Sequence, residues 1–104
     1  MPATIDATDK VVLFRDEGLS FAAIASMLHL ERPSDACDLF IAALEAMPAP
    51  ERHAARRREQ QRLTDLASAI AKRPNLEPTA RERLLAALEW FRLRVDGLAA
   101  APSR

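Results

Sequence analysis

Glycine occurs only at Gly18 and Gly97, cysteine only at Cys37, and tyrosine not at all. Two glycines leave almost nothing from which to build tight hairpins or a phosphate-cradling loop, which argues against sheets and against Walker-type nucleotide sites. One cysteine forbids an internal disulfide and leaves a zinc site short of ligands, so a reducing compartment fits best. No stretch approaches the roughly 18 to 20 apolar residues of a membrane span. Met1 to Asp9 also lacks a basic segment followed by an apolar run, and the expectation is a soluble, unprocessed, cytoplasmic protein with no membrane partner. An excess of one charge is missing as well: 15 basic side chains meet 15 acidic ones, with two histidines besides.

What remains is a chain of 104 residues, 49% hydrophobic, with alanine supplying much of that fraction. The length allows one compact domain or two small subdomains, and the alanine favours helices. Thr8 is placed to cap a first helix that Gly18 closes. Ser20 caps a short second helix over 21–28, whose apolar residues Phe21, Ile24, Ala25 and Leu28 recur at helical spacing. A third helix begins near Pro33 and carries Ala36, Leu39, Phe40, Ala43, Leu44 and Met47 until Pro48 and Pro50 stop it. A long fourth helix follows from about 51 to 73. Pro74, Asn75 and Pro78 break it, and a fifth helix runs to about Leu98. The short link between the last two predicts an antiparallel hairpin. The expected fold is all-α, with a tri-helical N-terminal subdomain (1–48) and a helical hairpin (49–104) that serves for oligomerisation.

Charge divides along the same boundary. Residues 1–50 hold Lys10, Arg15 and Arg32 against eight acidic side chains, a net of −5; the remaining twelve basic and seven acidic residues give 51–104 a net of +5.

The run Gly18-Leu19-Ser20-Phe21-Ala22-Ala23-Ile24-Ala25-Ser26-Met27-Leu28 resembles the entry to a helix-turn-helix of the kind found in small bacterial and phage regulators, sigma-factor-like modules and phage terminase small subunits. The resemblance covers about residues 9–47. Ala25 is small where the second and third helices pass closely, while Ile24, Leu28 and Leu30 fill the angle between them. His29 stands where the family places its turn glycine, and Ala36 comes one residue later than the tight family spacing. The resemblance implies a DNA-binding regulator, with Arg32 and Ser34 on the third helix reading the groove. That helix also carries Asp35, Asp38 and Glu45, with Glu31 just before it, and phosphate repels such a face.

Cations for DNA must then come from Glu51-Arg52-His53-Ala54-Ala55-Arg56-Arg57-Arg58-Glu59-Gln60-Gln61-Arg62. Here Arg52, Arg56, Arg57, Arg58 and Arg62 are the candidate phosphate anchors. The plainer reading of the segment is a solvated helix start, since it offers no large apolar residue. In the fifth helix Leu84, Leu88, Phe91, Val95 and Leu98 form one seam, and Ala86, Trp90, Leu93 and Gly97 form a second stripe. One partner helix cannot cover both, which predicts a homodimer using Trp90, Leu93, Val95 and Leu98.

Catalysis has little support, because His29 and His53 are far apart without a nucleophile signature and Cys37 sits among apolar residues as an inert, buried thiol. No metal or cofactor is expected. Two functions follow: a dimeric helix-turn-helix regulator of DNA, and a non-enzymatic adaptor whose acidic helix-turn-helix face binds a basic protein surface.

Overall fold

The computed structural model describes residues 7–98, and among them every regular element is a helix: α1 (Ala7–Asp16), α2 (Phe21–Met27), α3 (Pro33–Ala46), α4 (Ala49–Ala71) and α5 (Pro78–Gly97). The fold is all-α. It divides into two compact units, one ending at Met47 and the other beginning at Pro48.

In the first unit, α1 and α2 both pack on α3. Val11, Ile24, Ala36 and Leu44 are fully enclosed there, with Phe40 nearly so. Thr8 lies inside the first turn of α1, not at its cap. The ends of α1 and α2 share one device. Gly18 N–H donates to Arg15 O (3.0 Å) and Leu19 N–H to Phe14 O (3.1 Å); His29 N–H donates to Ser26 O (3.3 Å) and Leu30 N–H to Ala25 O (2.8 Å). Each pair closes a helix by a Schellman turn, whose penultimate residue must enter the left-handed region. Gly18 does so at φ 95° and His29 at φ 58°. His29 therefore performs the backbone task of a turn glycine at a steric cost.

Helix starts use three different solutions. Ser20 Oγ accepts from Ala23 N–H at 3.1 Å, as its sequence position predicts. At α3 the flanking residue is Arg32, whose guanidinium offers only donors, and Asp35 instead reaches back to accept from Arg32 N–H at 3.2 Å. Helix α4 begins at Ala49, before Pro50, because a proline in the first turn gives up only a donor that has no intrahelical partner. Only Met47 and Pro48 separate it from α3.

In the second unit, α4 and α5 pack on each other across a six-residue link, 72–77. Arg81 Nη2 donates to Arg73 O at 2.7 Å and satisfies a carbonyl past the end of α4. Far from the link, Gln60 Nε2 donates to Asp96 Oδ1 at 2.7 Å, so the helices run back along one another.

Candidate functional site

Helix α3 presents its first turn to solvent: Arg32 and Ser34 are both exposed. Arg32 is not a loose cation, since its Nη2 lies 3.5 Å from Asp35 Oδ1. Asp35 is half-buried and holds the helix start, which separates it from Glu31, Asp38 and Glu45, all exposed. The outward side of α3 and of the turn before it is thus acidic with one paired arginine.

The arginine segment is not uniformly solvated. Arg52, Ala55, Glu59, Leu63 and Ile70 are the buried residues of α4, stepping by three, four, four and seven along one face. Arg52 is 5% exposed, so its guanidinium is not displayed as a phosphate anchor would have to be. The reason is its place on that face, one turn before Ala55. Arg62 is half-buried, and its Nη1 donates to Glu59 Oε1 at 2.7 Å. Of the five candidate anchors, Arg57 and Arg58 are exposed and Arg56 is half-buried.

Helix α5 separates the four expected interface residues into two pairs. Trp90 and Leu93 are 56% and 58% exposed, whereas Val95 and Leu98 are buried at 0% and 4%. Val95 and Leu98 follow Phe91 by four and seven residues and share its buried face, so they belong to the interior of the single chain and not to a contact between chains. The stripe Ala86, Trp90, Leu93 and Gly97 is exposed throughout. The Arg94 guanidinium lies 5.0 Å from the Trp90 ring centre. Beside the stripe, Arg92 Nε donates to Glu89 Oε2 at 2.8 Å and its Nη1 to Asp96 Oδ2 at 2.6 Å. The hydrogen bond from Arg92 holds the Glu89 carboxyl below its ordinary range, and Glu89 in turn raises Arg92. A mainly apolar groove of about 530 Å³ opens between the two helices, lined by Leu63, Ala67, Leu85, Ala86 and Leu88 together with Thr64, Glu89 and Arg92.

Sequence reasoning missed three polar elements. Arg15 is buried, donates from Nη1 to Leu19 O at 3.0 Å and stacks over Phe21. Glu59 is fully enclosed, in a segment that reads as solvated. The Gln60–Asp96 bond joins residues 36 positions apart. Only the Glu59 to Arg62 spacing carries a local signal, that of an i, i+3 ion pair.

Cys37 is half-buried where its sequence neighbours predict full burial. Ala36, beside it, takes the enclosed position on α3 instead. Among the described residues no three of His, Cys, Asp and Glu stand together as a metal site requires, and no helix is long and apolar enough to cross a membrane. No protein-family model, no curated protein and no solved structure matches the chain.

Proposed function

We propose that this is a non-enzymatic, cytoplasmic DNA-binding protein of the helix-turn-helix kind, a small transcriptional or phage-type regulator that acts as a homodimer. The observation that carries this reading is the α2–α3 connection. His29 adopts the left-handed turn that the motif demands of its glycine, and the first turn of the following helix stands exposed with Arg32 and Ser34 on it. A bulky residue at φ 58° is strained, and the chain accepts that strain to keep the corner. Phosphate anchoring falls to Arg57 and Arg58 with Arg56 beside them, while Arg52 and Arg62 serve the packing of α4. Dimerisation falls to the back of α5, through Trp90 and Leu93.

One observation favours a second reading. Glu31, Asp38 and Glu45 are exposed around the α3 surface, and such a surface suits a basic protein partner better than a phosphate backbone. A titration against pooled genomic DNA at two salt concentrations separates the two. The regulator binds, and its affinity falls steeply with salt as counterions are released; an adaptor gives no complex near physiological salt.

A further inference from the structure

The back of α5 carries more than surplus apolar area. Ala86, Trp90, Leu93 and Gly97 step by four, three and four, the spacing of a two-stranded seam in which Trp90 and Gly97 take one core position and Ala86 and Leu93 the other. The flanks are unequal. On one side, at intervals of seven, stand Glu82, Glu89 and Asp96; on the other stand Ala87 and Arg94.

That inequality fixes a direction. If two copies of α5 met antiparallel, the two-fold axis would lie across the helices and each flank would face its own copy. Acidic row would then meet acidic row, three carboxylates from each copy, against Arg92, already bonded to Glu89 and Asp96, and Arg83, which takes the core position one heptad before Trp90 and bounds the seam. If they met parallel, the axis would run along the helices and each flank would face the opposite one. Glu89 would then stand against the residue five positions on in the partner, which is Arg94. In that register the Trp90 knob enters the hole bounded by the partner's Ala86 and Glu89. Those two residues also line the apolar groove between α4 and α5. Ala86 is small enough to let an indole pass over it into that groove, and the groove lies at the level of Trp90 along the helix.

We infer that the exposed back of α5 is a parallel, two-fold seam for a second copy of this chain, with Glu89 facing the partner's Arg94 and Trp90 reaching over the partner's Ala86 into its groove. This rests on the dimer proposed above and adds its direction, register and charge pairing.

The test uses the full chain with Cys37→Ala, carrying either Gly97→Cys or Ala86→Cys. A Cβ at Gly97 meets nothing within 4 Å, so that substitution is tolerated by the single chain, and circular dichroism checks that both variants keep their helix content. In a parallel seam each position faces itself, and under mild oxidation either cysteine protein, unmixed with the other, converts to a covalent dimer of twice the chain mass. If cross-links arise only when the two variants are mixed, joining position 86 to position 97, the copies associate antiparallel and the inference is overturned while the dimer stands. If light scattering of the unoxidised parent gives a single chain mass at micromolar concentration, the dimer itself is lost and the seam with it.

Discussion

The guanidinium carbon of Arg15 lies 4.0 Å from the centre of the Phe21 ring, and Phe21 in turn meets Phe40 edge-on at 5.6 Å between ring centres. One buried arginine on α1 thus reaches the start of α2, and through Phe21 it reaches α3; its hydrogen bond to Leu19 O fixes the turn between the first two helices. A desolvated cation–π contact contributes about 2 kcal/mol, and a charged hydrogen bond adds about as much. Arg15→Ala is therefore expected to lower stability by about 3 to 4 kcal/mol, read as a lower urea midpoint at unchanged m. Arg15→Lys should recover only part, because an ammonium cannot stack on Phe21 and present a planar donor to Leu19 O at once. Equal stability of the wild type and the alanine variant would refute this role.

His29 tests the corner between α2 and α3. Its φ of 58° suits glycine, so His29→Gly is expected to raise stability by a few tenths to about 1 kcal/mol, whereas His29→Val should lower it by more than about 1 kcal/mol. Chemical denaturation of the two variants decides the sign. A destabilising glycine would mean that the imidazole contributes more than its backbone strain costs.

The fold is legible in the sequence where chemistry is local. Ser20, Pro33, Pro74 and the apolar spacing of Ile24, Ala25, Phe40 and Leu44 act within a few residues of themselves, and the helices lie close to where those signals place them. The site is less legible because its polar parts depend on which face a neighbour covers. Arg52 and Arg57 look alike as charges along the chain, yet one is buried and the other exposed. Val95 and Leu93 are two positions apart, yet they point to opposite surroundings, since about 100° per residue carries the chain from the buried face of α5 to its back. Asp35 reads as one more repelling charge, but it holds the start of α3 through Arg32 N–H.

Glu59 is the most enclosed ionisable group among the described residues, and Arg62 donates to it at 2.7 Å. Taking one partner from a buried carboxylate is costly. Arg62→Ala is expected to lower the melting temperature and to reduce stability by about 2 kcal/mol, while Arg57→Ala, at an exposed site, should change it by less than about 0.5 kcal/mol. Identical thermal melts for the two variants would place Arg62 outside the packing of α4.

The pairing of Glu89 with Arg92 gives a pH dependence with a definite sign. The folded carboxyl lies below its ordinary value of 4.5, so the stabilising increment is present above that value and is lost as pH falls through the folded pKa. Glu89→Gln removes the increment at neutral pH. The gap in urea midpoint between wild type and variant should therefore close on acidification below the ordinary carboxylate range, and a gap that widens there would contradict the pairing.

The decisive measurement concerns DNA. If DNA is the ligand, non-specific phosphate binding must come from Arg56, Arg57 and Arg58, since Arg52 is buried and Arg62 is held by Glu59. Replacing those three by alanine should weaken binding to all sequences alike and flatten its salt dependence by about one unit of slope for each arginine that neutralises a phosphate. On α3 the useful variants are Asp38→Asn and Glu45→Gln, because Asp35→Asn would also weaken the helix start. Removing those two charges should tighten a DNA complex by relieving repulsion. An adaptor responds in the opposite way: the same two variants release its basic partner, and the wild type forms no DNA complex near physiological salt. Tighter DNA binding by the neutralised α3 therefore supports the regulator, and partner loss without any DNA binding removes it.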